Sequence, residues 1–280
     1  MTESETYSLA ESFDDERVRA ESGEANSQWF LGMSFEHGFG VAQDLAESAR
    51  WYRLAAEQGL AVAQASLGFM YADGRGVAQD DTEAVRWYRK AADQGDAESQ
   101  WGLGVMYATG RGVPQDDAEA VRWYRKAAEQ GLAEAQTSLG VMYATGRGVP
   151  QDNAEAVRWF RLAAEQGLAR AQYNLGGMYT NDRGVAQDDA EAVRWTRLAA
   201  EQGHADAQFN IGVAYYNGHG VPQDNGEAYL WANLAATYTD AEDREKYAEF
   251  RDDAAERLTP EQRAEGQRLA QEFFEAHPPK

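Results

Sequence analysis

The sequence predicts an all-α solenoid of six helix-turn-helix repeats, and three observations carry that prediction. A tryptophan returns every 36 residues, at Trp51, Trp87, Trp123, Trp159, Trp195 and Trp231. Near-copies of one phrase surround each of them, best seen over 133–168 as AEAQTSLGVMYATGRGVPQDNAEAVRWFRLAAEQGL. Within each copy the apolar residues recur at helical spacing. Repeats of this length bury their apolar faces by stacking on neighbours, so the 280 residues count units rather than globular domains.

The unit from Ala133 shows why each element forms. Ala135, Leu139, Met142 and Tyr143 make an apolar stripe, which predicts a first helix from Glu134 to about Ala144. Gly146 and Gly148 supply the positive φ values of a tight reversal, and Pro150 cannot continue a helix. A second helix then starts at Asp152. Glu155 stands three residues on, a capping-box spacing repeated at Asp44/Glu47, Asp80/Glu83, Asp116/Glu119, Asp188/Glu191 and Asp224/Glu227. Ala156, Trp159 and Ala163 form its buried face, Arg158 and Arg161 point elsewhere, and Gly167 ends it. Gly32, Gly68, Gly104, Gly140, Gly176 and Gly212 lie inside the first helices. A helical glycine costs roughly 1 kcal/mol against alanine, so each marks a predicted point of close helix contact.

The pattern A-x-A-Q-x-x-L-G-x-M-Y, then G-R-G-V-P-Q-D, then A-x-x-W-Y-R-x-A-A-E-Q-G, resembles the Sel-one-like repeat family, a relative of the tetratricopeptide repeats, over about Ala25–Asp240. The resemblance implies a right-handed superhelix of antiparallel helix pairs, with first helices on the concave face and second helices on the convex face. It also implies an adaptor or scaffold role in signalling and envelope processes. A branch described as β-lactamase-like is cysteine-rich, whereas this chain has no cysteine.

The repeats divide as 25–60, 61–96, 97–132, 133–168, 169–204 and 205–240. Residues 1–24 are expected to hold a degenerate half-repeat capping the stack, because Gly23 falls one period before Gly59. Residues 241–280 are expected to hold two capping helices, about Ala241–Leu258 and Pro260–Glu275. Thr259 is the N-cap of the second, with Pro260 at its first position and Gln262 completing the cap.

The formal net charge of −21 argues against nucleic acid, whose binding rests on Lys and Arg. It suits a basic or amphipathic partner, and equally the solubility of an exposed array or a high-salt habitat. Cysteine nucleophiles, disulfides and thiolate metal sites are excluded. No run of about 18 apolar residues predicts a membrane span. The N-terminal segment lacks signal-peptide character, so a cytoplasmic location is the expectation, with a periplasmic or secreted one following if a leader has been removed.

His37, His204, His219 and His277 show no ligand spacing, and neither a metal nor a cofactor is expected. The loop arginines Arg75, Arg111, Arg147 and Arg183 are expected to hold neighbouring loops or carboxylates rather than phosphate, since no GK[ST] follows. Asp80/Asp81, Asp116/Asp117 and Asp188/Asp189 read as capping and helix-dipole charge.

Where the repeats differ, they point to a binding face. After the constant glutamine stand Trp29, Ala65, Trp101, Thr137, Tyr173 and Phe209, and four residues later Met33, Phe69, Val105, Val141, Gly177 and Val213. By the resemblance this helix face lines the concave groove, joined near the end by Tyr216 and Asn217. Large aromatics at variable positions are usual anchors, although Trp29 and Trp101 also have the size to fill gaps between adjacent first helices. The candidate partner-binding residues are therefore Trp29, Met33, Phe69, Trp101, Tyr173, Phe209, Tyr216 and Asn217. The expected function is a non-enzymatic scaffold, monomeric when unbound, holding a peptide or protein along that face. The alternatives are a cell-wall-related hydrolase or ligand-binding protein, or a self-assembling structural subunit.

Overall fold

The computed structural model of the chain describes residues 13–238 and 241–276. Among the described residues there are fifteen helices and no strand. Helix α1 spans 13–21. Five helix pairs follow: α2 (Ala25–His37) with α3 (Leu45–Glu57), α4 (Ala61–Asp73) with α5 (Asp81–Asp93), α6 (Ala97–Thr109) with α7 (Asp117–Glu129), α8 (Ala133–Thr145) with α9 (Asn153–Glu165), and α10 (Ala169–Thr180) with α11 (Asp189–Glu201). The sixth pair is α12 (Ala205–Asn217) with α13 (Asn225–Tyr238), and α14 (Ala241–Glu256) and α15 (Pro260–Ala276) complete the chain. The fold is an all-α solenoid.

Each turn follows from its glycines. Gly110 closes α6 in the left-handed region, its N–H donating to the Met106 carbonyl. Gly112 also has positive φ, and a Cβ there would stand 2.2 Å from the Asp81 carbonyl oxygen, so backbone approach as well as torsion excludes a side chain. The Asp116 N–H then donates to the Tyr107 carbonyl, and its carboxylate accepts from the Glu119 N–H to start α7.

That geometry corrects the capping-box expectation. The cap carboxylates of Asp44, Asp80, Asp116, Asp152, Asp188 and Asp224 do accept from the first-turn N–H groups. Their own N–H groups are taken by carbonyls of the preceding first helix, such as Tyr71 for Asp80. The glutamates turn outward instead: Glu47, Glu83, Glu119, Glu155 and Glu191 pair with the arginine three residues on, and Glu227 accepts from the Trp231 indole. The reciprocal box closes at α15, between Thr259 and Gln262.

The chain forms two compact units, one running to Ala135 and taking in Arg147–Val149, the other made of Gln136–Gly146 and the residues from Pro150 onward. In the first, Phe13 and Ala20 of α1 pack with Leu31 and Trp51, and a further cluster joins Tyr88, Leu103, Met106 and Trp123. The close-contact reading of the helical glycines holds there: a Cβ on Gly104 would lie 2.6 Å from the Tyr124 ring.

In the second unit, Trp231, Leu234 and Ile211 pack with Ala270 of α15, while Ala228 and Tyr229 pack with Ala254 of α14 and Leu258. Helix α14 ends at Glu256 and α15 reaches Ala276, within two residues of the sequence-based bounds. His277 and residues 1–12, including the start of the expected half-repeat, lie outside the described residues.

Candidate binding site

Three sets of polar contacts hold successive helices in register. Within each repeat the second-helix glutamine donates to the first-helix glutamine thirty residues earlier, as in Gln58 to Gln28, Gln94 to Gln64, Gln130 to Gln100, Gln166 to Gln136 and Gln202 to Gln172, at 2.7–2.8 Å. Gln208 is the last rung, and its buried Oε1 has no partner among the described residues. Arg53, Arg89, Arg161 and Arg197 donate to Tyr71, Tyr107, Tyr179 and Tyr215 of the next first helix. Third, loop arginines bind back onto the preceding repeat.

Arg111 grips Asp81 through two nitrogens at 2.6 and 3.1 Å and also reaches the Ala72 carbonyl. Arg147 does the same with Asp117 and Ala108, and its hydrogen bond holds the Asp117 carboxyl below the usual carboxylate range. Asp81 and Asp117 are thus ion-pair partners between repeats as well as helix-dipole charges. Arg75 pairs with Glu36 instead, because Leu45 occupies the corresponding position.

These contacts set the variable positions at different depths. Trp29 and Met33 are half-buried against the cluster around Tyr52, Leu67 and Trp87. Phe69 is half-buried and meets the Tyr88 ring edge-on at 5.1 Å. Trp101 is half-buried too, whereas Ala65 and Thr137, at the same position in other repeats, are buried. Tyr173 stacks on His204, the N-cap of the following first helix, at 4.7 Å, and burial with the nearby Asp206 carboxylate pushes its phenol up.

Phe209 stacks on Tyr247 and Tyr216 lies under Arg257, with Phe250 edge-on to both rings, so helix α14 and the turn after it cover these two candidates. Asn217 is exposed and donates to the Val213 carbonyl. The position after the constant glutamine therefore packs against the start of α12 at Tyr173 and against α14 at Phe209. The position four residues later is half-exposed in every repeat.

An opening lies among the helices of the second unit. A cavity of about 700 Å³ is walled by Val141, Phe160, Tyr173, Met178, Val193 and Ile211, with Gly177 and Val213 on its border. Of the eight candidate residues, Tyr173 lines it. Sequence reasoning missed Asn174, Arg183, Thr196 and Asn210, which bring polar groups to the same cavity. The signal was present in the departures of one repeat from the others. Thr196 stands where Tyr52, Tyr88, Tyr124 and Phe160 stand, Gly177 replaces larger side chains, and Asp182 holds φ 51° where other repeats have glycine.

His204 caps α12, its Nδ1 accepting from the Ala207 N–H, and burial pushes its imidazole below the usual histidine range. Among the described residues no three of His, Asp and Glu converge as metal ligands would. No helix among them is long and apolar enough to cross a membrane.

The family model described as Sel1 repeat matches residues 25–60, 61–96, 97–132, 133–168, 169–204 and 205–237. A Sel1 repeat protein from Oxalobacter formigenes of known crystal structure is 32% identical, with TM-score 0.72 over 79% of this chain and 87% of that one. The protective antigen c5321 of uropathogenic Escherichia coli strains, which displays an SLR fold, is 31% identical with TM-score 0.42, over 96% of this chain and 72% of that one. A putative Sel1 repeat protein from Klebsiella pneumoniae is 21% identical with TM-score 0.47, over 71% of this chain and 97% of that one. No curated protein matches the chain.

Proposed function

The chain belongs to the Sel1 repeat family, whose members are commonly non-enzymatic protein-interaction scaffolds, and from that premise we propose that it holds a peptide or protein segment along the exposed faces of its first helices. The observation that supports this most is the contrast between two positions of those helices. Leu31, Leu67, Leu103, Leu139, Leu175 and Ile211 are fully buried and nearly uniform, as structural positions should be. The position of Val105, Val141 and Val213 is half-exposed and changes to Met33, Phe69 and Gly177 in the other three repeats, as a recognition position should. The net charge of −21 favours a partner segment that is basic or amphipathic.

Affinity capture followed by quantitative binding tests the reading. Phe69→Ala and Tyr173→Ala should each weaken the captured partner by more than about 1 kcal/mol, while loss of the ring contacts with Tyr88 and His204 costs about 0.5–1.5 kcal/mol of stability. Trp123→Ala, a buried packing residue, should instead cost about 3–5 kcal/mol of stability. Undiminished binding in both first-helix variants would move the interaction to the second helices or the loops.

A further inference from the structure

Two departures from the repeat meet in the second-unit cavity, and together they specify a ligand. The first is a missing ring. Tyr52, Tyr88, Tyr124 and Phe160 each press an aromatic ring against the glycine of the preceding first helix, with ring atoms 2.4–2.7 Å from where a Cβ would stand. At the fifth repeat this residue is Thr196, whose Oγ1 takes the contact with Gly176 and which brings no ring to the cavity that it lines. Gly177 beside it has nothing within 4 Å of a Cβ, which extends the space. The apolar part of its wall comes from Val141, Phe160, Met178 and Ile211.

The second departure is a cation without its carboxylate. Arg111 and Arg147 are each neutralised by an aspartate thirty residues earlier. The corresponding residue for Arg183 is Asn153, whose side-chain oxygen lies 3.4 Å from the guanidinium, and the remaining contact is the Ala144 carbonyl at 2.9 Å. Among the described residues no ion pair with Arg183 forms, and Arg183 borders the cavity. An arginine stays charged at any physiological pH, and its fork of donors matches a carboxylate. Asp189 on the same border is held by Gln187 at 3.1 Å and disfavours a second negative charge on the ligand.

We propose that this cavity binds an aromatic group carrying one carboxylate, the ring filling the space left by Thr196 and the carboxylate pairing with Arg183. This goes beyond the scaffold reading and stands without it. The chemistry is that of a chain ending in an aromatic residue or of a free aromatic acid.

Two substitutions that restore the pattern of the other repeats test it without damaging the fold. Asn153→Asp supplies Arg183 with its carboxylate, and Thr196→Phe supplies the ring. The probe is N-acetylphenylalanine, titrated while the Met178 methyl resonance is followed in the full chain labelled at methionine. Saturable movement of Met178 is expected in the original protein, with affinity at least tenfold weaker in each variant and for N-acetylphenylalaninamide. A peptide ending in phenylalanine that binds at least tenfold tighter than the acid assigns the ligand to a chain end, and equal affinity assigns it to a free acid. No movement of Met178, equal binding of acid and amide, or undiminished binding in Asn153→Asp overturns the proposal. Should Thr196→Phe fail to fold, Asn153→Asp, which leaves the cavity walls untouched, still decides it.

Discussion

The side chain of Gln94 donates to Gln64 Oε1 at 2.8 Å and to the Gly59 carbonyl at 3.1 Å, while Gln64 donates to the Ala56 carbonyl at 3.0 Å. Two amides thus tie together the end of α3, the start of α4 and the end of α5. Gln64 is 4% exposed, so its polar atoms cannot fall back on water. Gln64→Leu removes the acceptor of Gln94 and one donor to Ala56, and should cost about 1–3 kcal/mol. Gln94→Ala also strips Gln64 Oε1 of its donor, but it vacates an exposed position through which water reaches that oxygen, so it should cost less than about 1 kcal/mol. Urea denaturation of the two variants measures this, and equal losses would show that burial does not set the value of the pair.

Two glycines on first helices should respond to alanine with opposite sign. Gly104→Ala places a Cβ 2.6 Å from the Tyr124 ring, and overpacking of this kind costs about 1–3 kcal/mol, more than the gain in helix propensity. Gly177→Ala meets nothing within 4 Å and should stabilise α10 by roughly 0.5–1 kcal/mol. Thermal melting of the pair distinguishes contact from propensity.

His204 makes stability depend on pH. Burial lowers its folded-state pKa below the ordinary 6.5, so the unfolded chain takes up the proton first and stability is fully present above that value. It falls as pH drops below 6.5 towards the folded-state pKa. His204→Asp keeps an N-cap of the kind that Asp96 provides to Ser99 and should flatten the dependence. Melting temperatures measured between about pH 5 and pH 8 check this, and an unchanged slope in the variant would assign the effect to another group.

Removing the chain from Ala241 onward should destabilise the second unit. Tyr247 and Phe250 cover Phe209 and Tyr216, and Ala270 of α15 packs with Leu234 and Trp231. Loss of these contacts exposes the apolar faces of α12 and α13. A lower melting temperature with concentration-dependent light scattering is the expected outcome. A truncated chain that melts as before and stays monomeric would show that these helices do not protect the stack.

Much of the fold was legible because its determinants act over a few residues. The Asp that starts each second helix and the 36-residue return of tryptophan are local signals that every copy repeats, and the Gly-Arg-Gly turn is one that three copies share and the others vary. The helical glycines announced close contact by their cost, though their ring partners, such as Tyr124 for Gly104, had to be seen. The capping glutamates were misread in part, because the Asp N–H they would accept from is spent on a carbonyl of the preceding helix.

The candidate site was legible as a set of positions and not as a geometry. That Tyr173 would stack on His204, that α14 would cover Phe209, and that Thr196, Gly177 and Arg183 would border one cavity all depend on how helices about thirty residues apart stack. The repeat, its helices and its turns can be read from the residues alone, since each is stabilised within a unit or by its copy next door. The tertiary structure decided which variable side chains pack and which line open space, because exposure at a given position depends on the bulk of the neighbour stacked against it.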